Sequence, residues 1–150
     1  AQLYYLDFDK THVLNATATF MIPKDEGPLL FGEPVFDDMD FSFVFSYSSG
    51  YPYTQSGRDV GFVVKNALRQ PSTWSLDLLI GKDLTIFNNM RLRLFAEILN
   101  LLDHKNVLYV YRDTGDPDYT FVGGYSKEYM EDPSNYGAPR RIRVGASIRF

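Results

Sequence analysis

The sequence predicts an all-β chain of about five antiparallel strands in up-and-down order, and three observations carry that prediction. Apolar and polar residues alternate with a period of two over several runs, the mark of strands with two unlike faces. Long connections rich in Gly, Pro, Ser, Asp and Tyr alternate with shorter ones. Aromatic residues make up 16 %, and twelve Phe with eleven Tyr against a single Trp suit strands better than a helical bundle.

The first strand is expected over residues 12–22, with Leu14, Ala16, Ala18, Phe20 and Ile22 on one face and Asn15, Thr17 and Thr19 on the other. The second, over 40–47, sets Phe41, Phe43, Phe45 and Tyr47 against Ser42, Val44 and Ser46. The third, over 73–87, sets Trp74, Leu76, Leu78 and Ile80 against Ser75, Asp77, Leu79 and Gly81. The last, over 140–150, alternates Ile142, Val144, Ala146, Ile148 and Phe150 with Arg141, Arg143, Gly145, Ser147 and Arg149.

The fourth segment, residues 91–102, is ambiguous by periodicity. Leu92, Phe95, Ala96, Leu99 and Leu102 fit a helical stripe of good helix formers. A strand would instead oppose Leu92, Leu94, Ala96 and Ile98 to Arg91, Arg93, Phe95 and Glu97. The tight Asn88-Asn89 link and the flanking strands favour strand.

Bulk properties exclude several classes. A net charge of -4, with no Lys/Arg cluster interleaved with aromatics, argues against nucleic-acid binding. Without cysteine there is no disulfide framework, thiolate metal site or cysteine nucleophile. No apolar run reaches the ~18 residues of a membrane-spanning helix, whereas a barrel strand needs only ~9–11 alternating residues. The chain opens at Ala1 with no signal peptide, which leads us to expect a fragment with its true N-terminus upstream.

Alternation alone does not say whether the apolar face meets a core or lipid. Three features favour lipid. The polar face carries Asp77, Arg91, Arg93, Glu97, Arg141, Arg143 and Arg149, as a hydrated barrel lumen would. Tyr47, Tyr51, Tyr53, Trp74, Tyr109 and Tyr111 gather at the long-loop end, where an interfacial aromatic belt is expected. The chain closes on an alternating strand ending in Phe150. Its pattern Arg143-x-Gly145-x-x-Ile148-x-Phe150 resembles the terminal assembly signal of outer-membrane proteins, which the barrel-assembly machinery reads by edge pairing. The expected fold is therefore the last part of a large transmembrane β-barrel.

Five segments, in order, resemble TonB-dependent receptor barrels. They are residues 9–22 (DKTHVLNATATFMI), 49–54 (SGYPYT), 75–84 (SLDLLIGKDL), 94–107 (LFAEILNLLDHKNV) and 139–150 (PRRIRVGASIRF). The resemblance spans nearly the whole chain and makes residues 91–102 a strand, which periodicity did not. It implies a C-terminal portion, residues 1–150, of a barrel of about twenty-two strands, lacking the plug domain and signal peptide. It also implies localisation in the bacterial cell outer membrane and a role in active nutrient uptake, the chain supplying barrel wall, outer loops and the assembly strand. The implied partners are outer-membrane lipid, the barrel-assembly machinery and, in the full-length protein, a plug domain and the TonB energy-transducing complex.

No catalytic constellation stands out, so no enzyme and no cofactor is expected. His12 and His104 form no metal-spaced pair and read as structural. Asp77 and Glu97 share a face, but Arg91, Arg93 and Arg141 beside them favour a charge ladder over a carboxylate pair. The acidic run Asp113 to Asp118, with Glu128, Glu131 and Asp132, offers oxygen ligands without the spacing of a calcium loop. Tyr119, Phe121, Tyr125, Tyr129 and Tyr136 are candidate ligand-stacking aromatics, with loop packing the plainer account. The rival expectations are a soluble β-sandwich or lipocalin-like binding module, and an outer-membrane barrel without a plug.

Overall fold

A computed structural model of the chain describes residues 3–57, 61, 63–87 and 90–150. In chain order its elements are β1 (Val13–Ile22), β2 (Met39–Ser48), β3 (Pro52–Tyr53), β4 (Leu68–Arg69), β5 (Thr73–Phe87), β6 (Met90–Leu99), a one-turn helix α1 (Lys127–Met130), a 3₁₀ turn (Pro133–Asn135) and β7 (Arg141–Arg149). The protein is all-β and mostly antiparallel. Five long strands form one sheet in the order β1-β2-β5-β6-β7, so each lies beside the next long strand in the chain. The short β3 and β4 pair separately, Pro52 opposite Arg69 and Tyr53 opposite Leu68.

All five expected strands form. The Asn88-Asn89 turn itself lies outside the described residues, but β5 and β6 pair antiparallel on either side of it. One boundary needs correction, because the strand expected over 91–102 stops at Leu99. Asn100 adopts φ 54° and Asp103 φ 52°, left-handed values that Asn and Asp tolerate better than most residues. Asn100 is buried and fully engaged: its N–H donates to the Asp77 carboxylate (2.8 Å), its side-chain amide to the His104 carbonyl (2.9 Å), and its Oδ1 accepts from the His104 N–H (3.0 Å). Asp103 in turn accepts from the Arg140 N–H, tying the turn to the start of β7 (2.7 Å). The Asn-Leu-Leu-Asp run is thus a strand terminator, and Leu102, expected as the last residue of an apolar stripe, is 60 % exposed.

Register fixes the two faces. Rows across β5, β6 and β7 read Leu78–Ile98–Ile142, Ile80–Ala96–Val144, Lys82–Leu94–Ala146 and Leu84–Leu92–Ile148 on one face. The opposite face reads Leu79–Glu97–Arg143, Gly81–Phe95–Gly145, Asp83–Arg93–Ser147 and Thr85–Arg91–Arg149. Phe20 of β1 meets Phe43 of β2 edge-on (6.3 Å between centroids), while Thr19 bonds Ser42 on the other side (3.1 Å).

Lys82 is the one charge in the apolar rows. Its ammonium bends out of the row to the carbonyls of Val35 (3.0 Å) and Asp37 (2.6 Å) and to the Asp37 carboxylate (2.9 Å), so three oxygens replace its water. That contact holds Asp37 ionised below the usual carboxylate range.

The apolar rows are not covered. Val144 is 79 % exposed, Ile142 63 %, Phe20 60 % and Ile148 53 %. Among the described residues the buried apolar side chains are Val110 and Pro52, and both lie outside the five-stranded sheet. A sandwich of this length would bury its apolar faces against each other, and this sheet does not.

By its contacts the chain divides into two compact units. One comprises Ala1–Leu14, Ser46–Trp74 and Lys105–Pro139, the connections and their strand ends. The other comprises Asn15–Phe45, Ser75–His104 and Arg140–Phe150, the body of the sheet with the 23–38 connection.

Candidate functional site

In the unit of connections, polar side chains do the work that a core does elsewhere. Asn66 is 4 % exposed and left-handed (φ 55°). Its N–H donates to Thr54 Oγ1 (2.9 Å), Thr54 donates back to its Oδ1 (3.1 Å), and its amide reaches the Tyr5 carbonyl (2.7 Å) and Asp7 carboxylate (2.5 Å). Two other stretches of chain converge on one side chain. Arg69 ties down the same two, donating to the Gly50 carbonyl (3.1 Å) and pairing with Asp9. Hydrogen bonding from Arg69 is the main reason the Asp9 carboxyl is held below its ordinary range. Gly50 is required here because a Cβ would strike the backbone carbonyl of Gln70.

Beside this hub lies a cavity of about 450 Å³, bordered by Asp7, Tyr53, Lys65, Asn66, Tyr109 and Arg112 among others. Aromatic faces and charges of both signs line it, a composition suited to a polar ligand with an apolar face. Burial pushes the Tyr53 phenol above its usual value.

The five aromatic residues expected as ligand contacts lie elsewhere, and none lines that cavity. Tyr119 and Phe121 pack edge-on (5.4 Å), and Tyr125 and Tyr129 stack at 4.5 Å with rings 12° apart. Tyr136 donates to Asp118 and lies under the Lys105 ammonium (3.6 Å from the ring centroid). Burial, then the Asp118 hydrogen bond, pushes its pKa up to about 12. The plain account, loop packing, describes their observed contacts. Tyr51, Tyr53 and Tyr109, expected from the sequence as part of an interfacial belt, border the cavity.

The acidic stretch is likewise occupied from within. Asp113 accepts from the Thr120 hydroxyl (2.7 Å) and from the N–H groups of Phe121 (2.6 Å) and Thr114 (3.0 Å). Burial opposes its ionisation, but these donors outweigh it and hold the carboxyl below its usual range. Asp116 accepts from the Asp118 N–H (2.7 Å), and Asp132 caps the 3₁₀ turn at Ser134 (2.8 Å). Among the described residues no group of three His, Asp or Glu side chains is placed to hold a metal.

On the polar sheet face, Asp77 and Glu97 do not form a carboxylate pair. Asp77 is held by the Asn100 N–H, while Glu97 pairs with Arg143 (3.1 Å), directly opposite in register. Arg93 forms the larger link: it bonds Asp83 (2.7 Å) and reaches across β5, over Gly81, to Asp40 of β2 (2.5 Å). No motif marks Asp40 or Asp83, although each shares parity with the polar residues of its strand. Arg91 sits opposite Arg149, like charges in one row, and Arg141 lies opposite Leu99.

Arg143 and Gly145 fall in polar-face rows and Ile148 in an apolar row, while the strand expected to reach Phe150 ends at Arg149 and Phe150 is 90 % exposed. Gly145 has a local reason to be glycine, since the Phe95 ring lies over it where a Cβ would be. His12 contributes its backbone, exchanging hydrogen bonds with Ser49 (3.1 and 2.8 Å).

Each of the first four motif segments therefore has a structural task for its polar residues: Asp9 and Thr54 organise the connections, Asp77 and Asn100 end β6, and Lys82 holds the 23–38 connection. Comparison of the chain with protein-family models, with curated proteins and with solved structures gave no match.

Proposed function

We propose that the chain forms part of the wall of a bacterial outer-membrane β-barrel of the TonB-dependent receptor type, contributing wall, outer connections and the closing strand to a nutrient transporter. One observation supports this above the others: a single-layer sheet presents an uncovered apolar face on one side and a charge-laced polar face on the other. In water that apolar face is a liability, whereas against lipid it is the stable arrangement. Strand lengths agree, four of the five long strands having nine or ten residues, close to the ~9–11 that span a bilayer. The polar face, with its Arg93 and Glu97 pairs, is then the hydrated lumen side.

The cavity beside Asn66 is the part of the chain best suited to ligand contact, and the terminal strand is the part offered to the assembly machinery. The test is to isolate the native protein that carries this sequence. A heat-modifiable protein in the outer-membrane fraction, with a plug domain preceding this segment, is the expected result. A heat-modifiable barrel without a plug would keep the wall and reject the receptor type. Recovery as a soluble 17 kDa monomer would reject both.

A further inference from the structure

The 23–38 connection displays apolar side chains for which the fold has no evident use. Leu30 and Glu33 close a miniature turn through reciprocal backbone hydrogen bonds (2.9 and 3.2 Å), with Phe31 and Gly32 at its tip. Both tip residues are left-handed, Phe31 at φ 54° and Gly32 at φ 89°. Asn or Gly suits the first tip position, while a bulky aromatic there is strained. Phe31 is nevertheless 99 % exposed, and its neighbour Leu29 is 68 % exposed.

The connection leaves β1 from Ile22, an apolar-face residue, and Ile22 approaches the backbone at Gly27. It is held by Lys82, which also belongs to the apolar rows. The exposed Leu29 and Phe31 are thus carried by a connection anchored to the sheet through apolar-row residues. Asp25, Glu26 and Glu33 flank the tip, and Lys24 is the only nearby cation in the connection.

We infer that Leu29, Leu30 and Phe31 form an interfacial anchor that inserts into the headgroup boundary of a zwitterionic phospholipid layer, at the edge of the band contacted by the apolar rows. This rests on the wall reading. An apolar tip gains by entering the interface, and the flanking carboxylates make an anionic surface the poorer host.

A photoreactive benzoylphenylalanine in place of Phe31 tests the anchor in the full native protein, reconstituted in phosphatidylcholine vesicles. The same substitution at Val144, in an apolar row, reports on the wall itself. Mass spectrometry reads the adducts. Lipid adducts at both positions are expected, with the yield at position 31 falling several-fold in equimolar phosphatidylglycerol and the yield at 144 unchanged. Lipid at 144 with protein or no adduct at 31 overturns the anchor and leaves the wall standing. An unchanged yield at 31 in the anionic vesicles overturns the zwitterionic preference. No lipid adduct at 144 overturns the wall, and the anchor with it.

Discussion

In the five-stranded sheet, order resides in the backbone ladder, and side chains on both faces are exposed or half-buried. In the unit of connections the reverse holds: Asn66, Asp113 and Asn135 gather distant backbone through side-chain hydrogen bonds, and the buried apolar residues among those described are Pro52 and Val110. The sheet supplies its own hydrogen bonds but not its own apolar cover. The connections supply polar satisfaction without needing a large hydrophobic core. A lipid environment should therefore govern the first region and leave the second nearly untouched, and substitutions can separate them.

The largest effect is expected from Val144→Arg. On the wall reading, placing a cation in this row costs about 2–4 kcal/mol near the bilayer centre, whereas Ser147→Arg on the polar face, opposite Arg93, should cost no more than about 1 kcal/mol. Urea unfolding of the reconstituted protein reads the difference, and equal effects at the two positions would erase the distinction between faces.

Gly50→Ala should be the most damaging small change among the connections. Its Cβ would meet the Gln70 and Pro71 carbonyls, which are backbone and cannot swing aside, so about 1–3 kcal/mol is expected. Amide exchange should rise at Gln70, whose N–H donates to the Tyr51 carbonyl (2.9 Å). Protection across β6 and β7 should persist if the two regions are independent.

Gly145→Ala is expected to cost about 1 kcal/mol by displacing the Phe95 ring, and Phe95→Leu should restore most of it. Restored insertion in that double variant would make Gly145 a packing requirement. Continued failure would leave it as a feature read by the assembly machinery.

Asp40→Asn should cost only about 0.5–1 kcal/mol, because the Arg93 side chain is 41 % exposed and keeps Asp83. A larger loss in chemical denaturation would mean that the link across β5 is shielded from water.

The smallest effect is spectroscopic. Tyr136 is neutral when it donates to Asp118, and its folded pKa of about 12 lies above the ~10 of a free phenol. Its contribution is complete below about pH 10 and is lost as pH rises toward 12. Absorbance titration should show a late tyrosine ionisation that Asp118→Asn moves part-way down, because burial remains.

What was legible in the sequence follows the same division. Period-two alternation reports faces directly, so Ile142 to Ile148 could be assigned one by one. Where a residue leaves the ladder for a side-chain contact, the pattern goes silent. Asn100 ends β6 through bonds to Asp77 and His104, and the run of leucines around it suggested a longer strand or a helix. Lys82 sits in an apolar row only because a distant connection supplies its oxygens. The cavity joins residues from Asp7 to Arg112, and no local window contains that arrangement. The aromatic-rich run 119–136 drew attention for its composition, yet its rings mainly contact one another.

The most direct test of the central claim is single-cysteine spin labelling along residues 141–149 of the native protein in bilayers, comparing relaxation by oxygen and by a water-soluble nickel complex. Labels at 142, 144, 146 and 148 should favour oxygen, and labels at 141, 143, 147 and 149 should favour nickel. If the even positions are shielded from both reagents, they are packed against protein, and the apolar face is not a lipid-facing wall.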